Sequence, residues 1–132
     1  MTDTTSQSFN IEVEHNNLIH LTLGNINSAE KLQDLREWTE KVRTTVRNLY
    51  EKTGKKVIIT TDISNLNKYN PEAFAILTDL MKDNEAYVLK SATFGGSKYI
   101  IFAQDILRSF SERKNFKAFK TKEEALAWLT SQ

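Results

Sequence analysis

The sequence predicts an α/β domain in which a β-hairpin leads into a mostly parallel mixed sheet of about five strands, packed with four helices. Three observations carry this. Two short runs near the start alternate apolar and polar residues around an Asn-Asn pair, the pattern of a half-buried hairpin. Strand-like and helix-like periodicities then alternate to the end of the chain, the order that produces a parallel sheet with crossover helices. Finally, Val57-Ile58-Ile59 is apolar on both faces and β-branched throughout, as a central strand covered on both sides requires.

In order, Phe9, Ile11 and Val13 alternate with Asn10, Glu12 and Glu14, and Ile19, Leu21 and Leu23 alternate with His20 and Thr22. Asn16-Asn17 between them tolerates the positive φ of a tight turn. Ser28 then precedes a helical stripe of Leu32, Leu35, Trp38, Val42, Val46 and Leu49, with Gly54 placed to end a helix of about 24 residues. Its polar face offers the i,i+4 pairs Arg36/Glu40 and Glu37/Lys41. Lys56–Ser64 reads as the central strand. Asn70-Pro71 supplies an N-cap and a first-turn proline for a helix ending near Lys82, with Phe74, Leu77, Leu80 and Met81 inward.

Ala86–Phe94 is the next strand, followed by Gly95-Gly96-Ser97. From Lys98 two readings stand. Lys98–Gln104 as a strand would make a hairpin about the glycines; a helix capped by Ser97 would turn Ile100, Ala103, Leu107 and Phe110 inward. The stripe continues through Phe110, beyond a typical strand length, which favours the helix. Asn115–Lys120 is a short strand. Thr121-Lys122-Glu123-Glu124 has the capping-box spacing and opens a final helix bearing Ala125, Leu126, Trp128 and Leu129.

Composition narrows the function. The 132 residues suit one domain over 9–132 behind a polar tail at 1–8. The balance of 18 Lys+Arg against 17 Asp+Glu argues against polyanion binding as a global property, and no specific nucleic-acid signature accompanies it. Without cysteine there is no disulfide, thiol chemistry or Cys-type metal site. No transmembrane segment of roughly 20 apolar residues is present, and the first eight residues lack the order of a signal peptide, so a cytoplasmic location is expected.

The strand–helix order, the Thr61-Asp62-Ile63-Ser64 strand end and the closing run Phe119-Lys120-Thr121-Lys122-Glu123-Glu124-Ala125-Leu126-Ala127-Trp128-Leu129 resemble the STAS superfamily. The resemblance covers about residues 9 to 130 and is strongest to its stand-alone bacterial branch, called SpoIIAA-like or STAS/Sec14-like. It implies a SpoIIAA-like (STAS) sandwich and a small binding or regulatory domain rather than an enzyme. In phospho-switch members of that family a serine begins the helix after the third strand, where phosphorylation adds about −2 charge. Here the matching stretch is Lys68-Tyr69-Asn70-Pro71, with Tyr69 its only hydroxyl, and Ser64 lies several residues too early.

The candidate ligand site gathers Asp62, Ser64, Asn70, Gly95, Gly96, Ser97 and Lys98 at the carboxyl ends of the strands, where open α/β sheets bind ligands. Free N–H groups at a helix start, two glycines and a lysine would suit an anion. The plainer alternatives are a flexible turn at Gly95–Ser97, and an Asp62 and Ser64 that satisfy local backbone groups. Tyr99, Ile101, Phe102, Ile106 and Phe110 are more apolar than one helix face can hide, and so form core, an apolar pocket or a homodimer face. His15 and His20, with no third ligand, make no metal site, and no catalytic set or cofactor motif is visible. Residues 108–122 carry six cations against Glu112, a local charge open to an anionic partner or peripheral membrane contact.

The expected function is therefore non-enzymatic recognition of a protein partner or small anionic ligand. A carrier or sensor of an apolar, lipid-like molecule is the alternative, and a phospho-regulated anti-sigma-factor antagonist a third reading.

Overall fold

The computed structural model describes residues 9–66, 70–97 and 115–131. One five-stranded sheet runs in chain order: β1 (Asn10–Glu14), β2 (Leu18–Thr22), β3 (Val57–Asp62), β4 (Val88–Phe94) and β5 (Phe116–Phe119). β1 and β2 are antiparallel, and every later pairing is parallel. The hairpin takes positive φ at both Asn16 (63°) and Asn17 (59°). Asn17 also ties the turn to distant chain. Its Nδ2 donates to Thr53 Oγ1 (2.7 Å) and Lys55 O (3.0 Å), and its carbonyl accepts the Ile58 N–H (2.9 Å).

Helix α1 (Ala29–Thr53) starts where Ser28 accepts the Lys31 N–H (3.1 Å) and ends at Gly54, whose left-handed φ of 68° lets its N–H reach Tyr50 O. Leu35, Trp38, Val42 and Val46 are buried against the sheet. Trp38 reaches further: its Nε1 donates to Asn10 O (3.2 Å) and its ring meets Phe9 at 5.8 Å, holding β1 down. The polar-face pairs differ from expectation. Arg43 bonds Glu40 one turn back and Asp83 on the next helix, at 2.8 and 2.9 Å, because the neighbouring helix offers its guanidinium a second carboxylate.

Helix α2 (Pro71–Asn84) follows an Asn70 cap and runs two residues past the expected Lys82. A single 3-10 turn, Glu85–Tyr87, then occupies the first positions expected of β4, so the strand begins at Val88. Helix α3 (Lys122–Leu129) is capped by Thr121, which accepts the Glu124 N–H (3.2 Å). The box closes differently from its usual form. Glu124 Oε1 takes the Thr121 hydroxyl (3.1 Å) rather than its backbone N–H.

Helices α1 and α2 share one face of the sheet over Ile19, Leu21, Val57, Ile59 and Val88. Helix α3 covers the other over Ala92 and Phe94. The architecture is the α/β mixed sheet expected, with three helices among the described residues. The fourth helix expected from Lys98, the alternative strand Lys98–Gln104 and the tail at 1–8 lie outside the described residues.

Candidate functional site

The carboxyl ends of β2, β3 and β4 are stitched into one knot. β3 stops at Asp62, two residues short of expectation, because Asp62 Oδ1 accepts both the Ser64 N–H (2.9 Å) and the Ser64 hydroxyl (2.6 Å) and folds the chain into a turn. On one side, Leu23 N–H donates to Asp62 O (3.0 Å) and Asn65 Nδ2 to Leu23 O (3.3 Å). On the other, Ile63 N–H donates to Phe94 O (3.0 Å). The chain then bends at Gly95 with φ 84°, a region glycine alone enters without strain. A Cβ at Gly95 would stand 3.1 Å from Ser64 Cβ and 3.4 Å from Asp62 Oδ1.

Asp62, Ser64 and Gly95 are thus brought together from two strand ends. Ser64 and Asn65 are exposed at the tip, while Ile63 and Leu66 on either side are buried. Asn70 has a different task. Its Oδ1 accepts the N–H groups of Glu72 (3.0 Å) and Ala73 (3.1 Å), so it is occupied as the cap of α2. Gly96 is half-buried beside Gly95, and Ser97 is exposed. Lys98 and the apolar set Tyr99, Ile101, Phe102, Ile106 and Phe110 lie outside the described residues.

One residue near the knot was not singled out as a ligand-site candidate. His20 pairs in register with Thr60, and its Nδ1 and the buried Thr60 Oγ1 share a 2.6 Å hydrogen bond. Its ring stacks on Phe94 at 6.0 Å and 21°. By register, His20 and Thr22 share a sheet face with Thr60 and Asp62. Only the β2–β3 pairing could have revealed this, since the two strands are separated by the whole of α1. His15 is exposed in the hairpin turn. Among the described residues, no three His, Asp or Glu side chains gather as metal ligands.

No sequence profile of a protein family matches the chain, nor does any curated protein. The likeness is in three dimensions. A protein from Thermotoga maritima provisionally described as an anti-sigma factor antagonist superposes with a TM-score of 0.65 at 12% identity, covering 98% of this chain and 100% of that one. An uncharacterised DUF3478-family protein from Shewanella loihica PV-4, described as having a SpoIIAA-like fold, gives 0.64 at 18% identity over 92% and 91%. The anti-sigma factor antagonist SpoIIAA in its unphosphorylated form gives 0.59 at 14% identity over 94% and 99%. The chain has the SpoIIAA-like fold. Within the described part of this SpoIIAA-like domain, no helix is long and apolar enough to cross a membrane.

Proposed function

We propose that this SpoIIAA-like chain is a non-enzymatic regulatory domain that binds a protein partner through the surface at the carboxyl ends of β3 and β4. The observation that carries the reading is the knot itself. It holds Ser64 and Asn65 exposed while five backbone and side-chain hydrogen bonds tie their loop to the ends of three strands. An exposed loop on a rigid scaffold costs little further ordering on binding. The fold shared with two structures described as anti-sigma factor antagonists supports a partner-binding role over a catalytic one.

The geometry favours a protein over a small anion. The Asp62 carboxylate sits where an anion would approach Gly95, and its field opposes negative charge there. The cap position of α2 also speaks against a serine switch at that helix start. It is held by Asn70, whose amide oxygen is already committed to two N–H groups and offers no hydroxyl to a kinase.

Affinity purification of the full chain from cells that express it tests the proposal. A stoichiometric partner is expected, lost with Asn65→Arg on the knot and retained with Glu51→Arg on the exposed far end of α1. Equal recovery by both variants would overturn the assignment of this surface.

A further inference from the structure

A cavity of about 420 Å³ lies between the sheet and helices α1 and α2, lined among the described residues chiefly by apolar side chains, including Leu21, Val42, Ile59, Phe74, Leu77 and Val88. Protein interiors contain few voids larger than a water molecule. Cavities of roughly 150 Å³ already bind small aromatics, and ligand sites begin at roughly 300 Å³.

The wall includes Asn84, 3% exposed, with its side-chain Oδ1 buried and accepting no hydrogen bond. Buried amide oxygens are nearly always satisfied, so an orphan in an apolar wall needs a reason. The sequence supplies no local one. Asn84 precedes the 3-10 turn but makes no side-chain cap to it. Leucine would fill the same space without an unmet acceptor. An asparagine here is therefore a cost to the fold that a bound donor would remove.

We propose that this cavity binds a small, mainly apolar molecule carrying one O–H or N–H group, which donates to the Asn84 amide. The site meets the buried underside of the docking knot at Leu23, Ile63 and Leu66 but includes neither of its exposed residues, Ser64 and Asn65, and stands whether or not a protein binds there.

Calorimetric titration of the full chain with 2-naphthol and with naphthalene tests the proposal, the two probes matching in shape and differing by one hydroxyl. Saturable one-to-one binding is expected, with 2-naphthol about five-fold tighter, the worth of a single net hydrogen bond. Asn84→Leu should keep the fold, leave naphthalene binding in place and erase the five-fold preference. Leu77→Trp, which fills the cavity, should abolish binding of both probes, as should Thr61→Met from the sheet side. The proposal is overturned by absence of saturable binding, by binding that survives both filling variants, or by a hydroxyl preference that persists in Asn84→Leu. Loss of the protein partner with Asn65→Arg leaves every one of these readouts unchanged, so the two proposals fail separately.

Discussion

The two faces of the sheet are held by different means. On one, α1 and α2 bury a continuous cluster from Ile19 and Leu35 through Val42, Val46 and Val57 to Leu80. On the other, the eight residues of α3 cover Ala92 and Phe94 with Ala125 and Leu129, backed by half-buried Phe119 and Trp128. Along β1 and β2 the register turns Glu12, His20 and Thr22 to that second face. Discrete polar ties make up for its thin core. Lys90 Nζ donates to Trp128 O (3.0 Å) and Ser131 O (2.9 Å) while lying 5.0 Å over the Trp128 ring, fastening the end of α3 to β4. The first face is a foundation; the second leaves polar groups and strand ends on which recognition can be placed.

The sharpest break of that contrast comes from core truncation. Leu35→Ala removes a side chain with no exposure from the thick layer and is expected to cost about 3–4 kcal/mol. Leu129→Ala, 4% exposed in the thin layer, should cost about 2 kcal/mol, because a short helix can shift to close the gap. Urea unfolding of both variants measures this. A larger loss for Leu129→Ala would mean that α3 is as central as α1.

The next contrast lies between two glycines. Gly54 and Gly95 both have left-handed φ, but a Cβ at Gly54 meets nothing within 4 Å, whereas one at Gly95 presses on Ser64 and Asp62. Gly54→Ala should therefore cost about 1 kcal/mol for backbone strain alone, and Gly95→Ala about 2 kcal/mol for strain plus contact. The second variant should also shift the amide resonances of Ser64 and Asn65, while the first leaves them in place. Equal costs would show that the knot is softer than its hydrogen bonds imply.

These elements differ in how far they could be read from sequence. The Asn16-Asn17 turn, the Ser28 and Gly54 ends of α1 and the caps at Asn70 and Thr121 are local chemistry, in which the residue that makes the structure lies within four positions of what it satisfies. The stripe from Leu35 to Val46 is local for the same reason. What was not legible depends on register across long separations. The His20–Thr60 bond spans 40 residues and Arg43–Asp83 another 40. The Gly95–Ser64 contact requires the β3–β4 pairing to be known. Asp62 and Ser64 could be named as candidates from their strand-end position, but not that they bind one another. The orphaned Asn84 is invisible to periodicity altogether, since a polar residue at a helix end is expected to face water.

A smaller effect sharpens the reading of the second face. Thr60 has no exposure, and its hydroxyl is spent on His20. Thr60→Val keeps the shape and removes the bond. Because His20 is only half-buried, its ring can turn to water, so the expected loss is about 1 kcal/mol rather than the larger penalty of a stranded buried group. His20→Phe in the same background tests the coupling: the double variant should lose no more than Thr60→Val alone. Additive losses would mean that His20 and Thr60 contribute independently and that their hydrogen bond adds nothing to stability.

The smallest expected effect separates the faces most cleanly. Asn70 and Thr121 cap the helices that represent the two layers, and each alanine substitution removes a similar capping bond, worth at most about 1 kcal/mol. The consequence should nevertheless differ in kind. Helix α2 is braced along its length by α1, so Asn70→Ala lowers global stability while leaving the exchange pattern of its amides unchanged. Helix α3 has eight residues, too few to persist on its own, and among the described residues the buried cluster on its face is its own Ala125 and Leu129 with Ala92 and Phe94 of β4. Thr121→Ala should therefore lower global stability by less than the Asn70 variant. It should also speed amide exchange through Lys122–Leu129, by about five-fold for a loss near 1 kcal/mol, while β3 and β4 keep their protection. If both variants slow or speed exchange everywhere alike, the sheet and its two helical layers open as one unit. The thin face is then no more separable than the thick one.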